Sequence, residues 1–152
     1  MGGWLLQLQL LIKDSLNGGR GFADRAPTIG RILNKKLKLE TLVKKTRAKA
    51  DSGDGEAMWK LGVCYEYGCY GLAKDDVQSR AWYERSAAAR DPRGMAKFGD
   101  CLLAGIGGPP DNVFGVMNVT QAAGLGSDLA ATLLGLGFCK GDYGLPKDPV
   151  RA

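Results

Sequence analysis

The sequence contains no histidine. That removes both the commonest general base and the commonest metal-ligating side chain. Cysteine is sparse and irregularly spaced: Cys64, Cys69, Cys101 and Cys139 form no C-x-x-C unit of the kind that holds zinc or runs thioredoxin-like chemistry. The four thiols point to reduced, partly buried cysteines in a reducing compartment, cytoplasm or organelle interior, with a disulfide in a secretory compartment as the alternative. Long apolar runs are also missing. The N-terminal stretch from Trp4 to Ile12 is broken by Gln7 and Gln9 and is far shorter than the roughly 20 residues a membrane-spanning helix needs. No basic residue precedes it, which makes it a poor secretory signal. Gly2 is a weak myristoylation signal, because position 6 is leucine where serine or threonine is expected. A cysteine without histidine lacks its usual activating base. The stretches GIGG and GLGSD follow helical patterns rather than strands, which excludes a dinucleotide fingerprint. Asp75-Asp76 is a helix cap before it is a metal pair. No catalytic residue, metal or cofactor is therefore assigned.

What is present is glycine, 23 of 152 residues, about double the usual ~7%. The length suits one domain with a core of its own. The net charge of +5 is unevenly placed. Arg31, Lys35, Lys36, Lys38, Lys44, Lys45, Arg47 and Lys49 face a single acid, Glu40, between residues 31 and 49, giving +7 there. From Ala50 onward the balance is −3, so a mildly acidic body lies behind a basic segment.

The glycines recur with a period. Leu61-Gly62, Phe98-Gly99 and Leu134-Gly135 are spaced by 37 and 36 residues. A bulky residue follows each pair, at Tyr65, Leu102 and Phe138. A glycine closes each block, at Gly68, Gly105 and Gly141. An aspartate then opens the next element, at Asp75, Asp111 and Asp148. Small residues precede the blocks, at Ala57, Gly94 and Ala130. A period in the thirties indicates stacked helix pairs. Ala57, Leu61, Cys64, Tyr65 and Gly68 lie on one helical face, and small residues on that face let a second helix approach. The closing glycines supply left-handed helix stops, the aspartates N-caps. These signals predict first helices near 54–67, 91–104 and 127–140 and second helices near 75–89 and 111–124. They also predict a further second helix opening at Asp148 with Pro149 in its first position.

The pattern small-x-x-x-Leu-Gly-x-x-Tyr-x-x-Gly, a Gly-Leu turn, Asp, then small-x-x-Trp-x-x-x-Ala-Ala resembles the Sel-like repeat (SLR), a relative of the tetratricopeptide repeat. GDGEAMWKLGVCYEYGCYGLAKDDVQSRAWYERSAA matches nearly throughout, with Trp82 at the aromatic position. In the second repeat Asn118 replaces that aromatic and Gly115 replaces a small helix former, so its second helix is expected to be weaker and less tightly packed. The resemblance covers about residues 50–152, with repeats at 53–89, 90–125 and an incomplete 126–152. It implies an all-α, right-handed α-solenoid of antiparallel helix pairs that serves as a protein-interaction scaffold or adaptor in a larger assembly. Some bacterial secreted members carry one disulfide per repeat. Here Cys64 and Cys101 are equivalent, but Cys69 falls in a loop and Cys139 is out of phase, so that arrangement is not matched.

Residues 1–27 combine the apolar segment with a glycine-rich link. Residues 28–50 predict a basic amphipathic helix, with Ile29, Ile32, Leu33, Val43 and Ala50 sharing a face and a cap over the first repeat as one role. Its stripe Arg31, Lys35, Lys38, Lys45 and Lys49 reads as a solvated face or as a contact for an anionic protein surface. Nucleic acid or anionic membrane are the remaining readings, and no RNA-binding signature supports the former. The segment around Trp4 and Leu8 reads as packed on the body or as an anchor into a partner or membrane interface. Lys60, Glu66, Lys97 and Asp100 are expected as exposed positions on the face of the first helices, Tyr67 and Tyr70 as surface contacts near a loop. The third repeat is expected to leave apolar surface partly bare after Ala152, for a continuing array or a partner. Docking to a protein partner is thus the leading function. A peripheral subunit of a membrane-protein complex, held by residues 1–16, and a hydrolase like some bacterial relatives are the rivals. The missing histidine argues against the hydrolase.

Overall fold

The computed structural model describes residues 22–148 and 150, with side chains from residue 27. Trp4, Leu8, Pro149 and Ala152, and the expectations placed on them, lie outside the described residues. Six helices follow in order: α1 (Phe22–Asp51), α2 (Gly55–Tyr67), α3 (Asp76–Ala88), α4 (Pro92–Ala104), α5 (Asn112–Gly124) and α6 (Asp128–Lys140). No strand occurs among the described residues. The chain divides into two units, residues 1–39 and 40–152, with the boundary inside α1.

In the first unit, α1 starts at Phe22 rather than near Thr28 and carries Pro27 in its second turn. A proline there forfeits one backbone bond close to the helix start, a smaller loss than in the middle. Ile32, Leu33 and Leu37 are exposed on this stretch.

The second unit holds the end of α1 and all the repeats. Helices α2 to α6 pack successively, and α2, α4 and α6 also touch one another in sequence, so these three form one row backed by α3 and α5. Chemistry at the ends explains why each helix starts and stops where it does. Asp54, Asp75, Asp91 and Asp111 and Ser127 cap the N-termini, each accepting a first-turn amide. Gly68, Gly105 and Gly141 end α2, α4 and α6 in the left-handed conformation, with φ of 66°, 68° and 74°. The loops then close identically. The amide of Asp75 donates to the Tyr65 carbonyl, Asp111 to Leu102 and Asp148 to Phe138, each at 2.9 Å. The recurring bulky residue therefore marks the carbonyl that receives the returning chain.

The core runs along the array. Ala50 from α1 is fully buried with Ala57, Met58, Leu61 and Trp82. Arg85 lies over the Trp82 ring at 4.2 Å and reaches Asp51 at 3.7 Å, which ties the end of α1 to α3. Tyr83, Phe98, Cys101 and Leu102 form the next cluster. Met95, Ala96, Leu103, Val119, Ala122 and Ala130 form the third, with Leu134 packed against it. Small residues set the spacing. Ser79 and Ser86 on α3 are buried, and their hydroxyls donate to the carbonyls of Gly62 and Gly55 at 2.9 and 2.7 Å. Ser86 sits directly against Gly94 of the next helix.

The looser packing expected from Gly115 and Asn118 is not found where α5 meets α4, although Val113, Phe114 and Met117 of α5 are exposed. A Cβ on Gly115 would lie 2.8 Å from the Leu103 side chain, and one on Gly99 would lie 2.5 Å from Val119 and 3.0 Å from the Gly115 carbonyl. Two facing glycines bring α4 and α5 closer than any larger residues would allow. Asn118 is buried and satisfies its amide within its own helix, donating to the Phe114 carbonyl at 2.9 Å. In the third repeat Ala130 is buried, Leu134, Gly135 and Phe138 are half-buried, and Asp148 accepts from the Val150 amide at 3.0 Å.

Candidate functional site

Where the last turns of α1 face α2, an open groove of about 780 Å³ is lined by Leu42, Val43, Lys45, Thr46 and Lys49 on one wall. Trp59, Lys60, Val63, Cys64, Cys69 and Tyr70 line the other. The walls are set by helical periodicity: Leu42, Lys45, Thr46 and Lys49 fall at i, i+3, i+4 and i+7 on α1, and Trp59, Lys60 and Val63 at i, i+1 and i+4 on α2. The turn Ser52–Asp54 folds one helix against the other, and Asp54 caps α2 by accepting from the Ala57 amide at 3.1 Å.

Four of the residues expected to meet a partner converge here: Lys45, Lys49, Lys60 and Tyr70. Tyr67 is exposed on α2 but does not line the groove, and Arg31, Lys35 and Lys38 belong to the other unit. The basic stripe is thus two groups. Leu42, Trp59 and Val63 are not singled out by the sequence, and Cys69 is read there only as a loop thiol. A tryptophan off the repeat's buried face, with valine one turn on, was the available signal.

The electrostatics are partly settled within the fold. Glu56 pairs with Lys60 at 2.7 Å and with Arg93 of the next repeat at 3.6 Å, and the hydrogen bond from Lys60 holds its carboxyl below the usual carboxylate range. Arg93 also forks onto Asp91 at 3.0 Å and lies over the Trp59 ring at 4.6 Å. One face of that indole is therefore already occupied. No acidic group among the described residues pairs with Lys45 or Lys49.

Further along the row of first helices, Glu66, Lys97 and Asp100 are half-buried rather than exposed, which corrects the expectation for them. Glu66 accepts from Lys97 at 2.9 Å and from the Tyr83 hydroxyl. Burial disfavours ionising Glu66, but the hydrogen bonds from Tyr83 and Lys97 outweigh it and leave its pKa below the ordinary value. Burial raises the pKa of Asp100, and burial with the Glu66 contact keeps Tyr83 protonated. The reason is geometric: the network spans α2, α3 and α4 and is roofed by the packed ring of Tyr83. It ties two repeats together and leaves these charges less available than a sequence reading suggests.

Among the described residues no cluster of three or more potential ligands could hold a metal ion, and no helix is long and apolar enough to cross a membrane. Every buried side-chain nitrogen or oxygen there has a hydrogen-bond partner.

The family model of the Sel1 repeat matches residues 55–91, 92–127 and 128–152. The ERAD-associated E3 ubiquitin-protein ligase component HRD3A of Arabidopsis thaliana is 30% identical over 59 residues, which are 39% of this chain and 9% of that protein. The crystal structure of a Sel1 repeat protein from Oxalobacter formigenes superimposes with a TM-score of 0.70 at 27% identity, covering 74% of this chain and 46% of that one. The uropathogenic Escherichia coli protective antigen c5321, with an SLR fold, gives 0.68 at 22% identity, covering 95% and 31%; it supports the fold alone. The chain spans less than half the length of each of these relatives.

Proposed function

The chain belongs to the Sel1 repeat family, and from that premise we propose that it is a non-catalytic scaffold whose groove between α1 and α2 docks a protein partner. Proteins built from Sel1 repeats generally mediate protein–protein interaction. The observation that carries the reading is the convergence of Lys45, Lys49, Lys60 and Tyr70 around one open groove that apolar side chains also line. Helical repeat arrays offer extended surfaces of this kind, and binding energy concentrates in a few anchors. The Arabidopsis relative is by its name a component of a ligase assembly, which supports a role as one subunit among several.

The test compares the full chain, recovered from its native source, with two variants. Leu42→Arg with Tyr70→Asp fills and charges the groove at two exposed positions. Gln121→Arg, exposed on α5, is the control. A partner recovered with the parent chain and the control, and reduced about tenfold or more by the groove variant, supports the reading. Equal recovery by all three overturns it.

A further inference from the structure

The groove carries charge that no ion pair among the described residues uses. Of the charged side chains that line it, Asp54 is used as an N-cap, and Glu56 and Lys60 are paired with each other. Lys45 and Lys49 remain, four residues apart on the same helical wall, with no acidic partner among the described residues. Like charges at that spacing repel, and no ion pair among the described residues relieves them. The apolar side chains of Leu42, Val63 and Trp59 line the same groove. Leu42 is exposed although it faces this concavity.

On this basis we propose that the groove takes an extended acidic segment of a partner protein, with two carboxylates on Lys45 and Lys49 and one apolar side chain seated between Leu42 and Val63. The inference rests on the docking role proposed above and names the chemistry of its partner. Nucleic acid fits less well. Stacking of successive bases needs several open aromatic faces; of the two aromatic side chains that line the groove, Trp59 has one face covered by Arg93, and Tyr70 is the other. A compact polar metabolite fits less well too, since no buried polar atom is left unsatisfied to receive it.

The probe is a dye-labelled decapeptide of glutamates around one central leucine, titrated with the full chain by fluorescence anisotropy. Saturable binding is expected. Replacing the glutamates by glutamine should weaken it about 2- to 30-fold, the range that two solvent-exposed ion pairs supply. Replacing the leucine by serine should weaken it about fivefold or more. Lys45→Glu with Lys49→Glu should weaken binding at least as much as the glutamine peptide does; neither lysine forms an ion pair among the described residues, and reversing Lys49 in the last turn of α1 should cost about 1 kcal/mol of stability at most, which leaves the chain folded. Absence of binding up to about 1 mM chain overturns the proposal. So does binding unaffected by the lysine changes, or a thymidine oligonucleotide of equal charge that binds more tightly and depends on the same lysines. If the peptide fails while partner recovery still depends on Leu42 and Tyr70, the docking role stands and the acidic chemistry falls. If both fail, both readings fall.

Discussion

The ring of Tyr83 occupies the space that a side chain on Gly62 would fill: a Cβ there would lie 2.5 Å from both Cδ1 and Cε1. Tyr83 is fully buried and its hydroxyl is held by Glu66, so the ring cannot swing aside cheaply. Gly62→Ala is therefore expected to cost about 1–3 kcal/mol, the usual penalty for overpacking a tight core. Gly124→Ala is the control, because nothing lies within 4 Å of that position at the end of α5. It should gain up to about 1 kcal/mol from helix propensity alone. Urea denaturation of both variants checks the pair, and equal effects would refute the close-packing explanation of the repeat glycine.

The N-cap aspartates are separable from the loops they terminate. Asp111→Ala removes the acceptor for the Phe114 amide but keeps the backbone bond to the Leu102 carbonyl. The expected loss is about 1 kcal/mol. Asp111→Asn should recover most of it, since an amide oxygen can accept the same bond. Chemical denaturation of the two variants measures this, and a loss far above 2 kcal/mol would mean that the side chain does more than cap.

The repeat was legible because its signals are local. A left-handed stop at Gly68, an N-cap at Asp75 and a small residue at Ala57 each act through neighbouring backbone, and the same set returns near Gly105 and Gly141. The expected bounds of α2 and α4 consequently differ from the observed ones by a single capping residue. The close contact of α5 with α4 is not legible for the opposite reason. Gly115 lowers local helix propensity, but the space it leaves is taken by Leu103, and only the facing helix reveals that. The groove was half legible. Lys35 and Lys45 look alike in sequence, yet Lys45 alone lines the cavity. Trp59 and Val63 gain their role from the turn at Ser52–Asp54, which no periodicity encodes. Glu66 and Lys97 stand 31 residues apart, so their pairing depends on the stacking of two repeats.

That pairing makes stability depend on pH. The carboxyl of Glu66 titrates below its ordinary value near 4.5 in the folded chain, so its contribution is complete above about that pH and is lost as pH falls through the lower folded value. Asp91 acts in the same direction: burial opposes its charge, and the bonds from Arg93 and the Gly94 amide prevail. Asp100 acts oppositely, because burial lets the folded chain hold its proton more readily than the unfolded one. Glu66→Gln should cost about 1–2 kcal/mol at neutral pH and flatten the fall of the melting temperature from pH 5 to pH 3. Asp100→Asn should steepen that fall. A Glu66→Gln variant as acid-sensitive as the parent would show that the network does not couple to folding.

The thiols should separate by reactivity. The thiolate is the attacking species, so both burial and pKa control alkylation. Burial pushes Cys64 up to about 12 and Cys101 to about 11, and both are shielded inside the row of first helices. Cys139 is exposed in the last turn of α6, and Cys69 is half-buried just past the end of α2, on the lining of the groove. Iodoacetamide at pH 7.5 should therefore modify Cys139 first, Cys69 next, and Cys64 and Cys101 only as the chain opens. Peptide mapping over a time course gives the order directly. The groove adds a second readout. A bound acidic segment would cover Cys69 but not Cys139, so the glutamate–leucine peptide should slow modification of Cys69 selectively. Protection of both thiols alike would indicate general stabilisation, and protection of neither would place the peptide away from the groove.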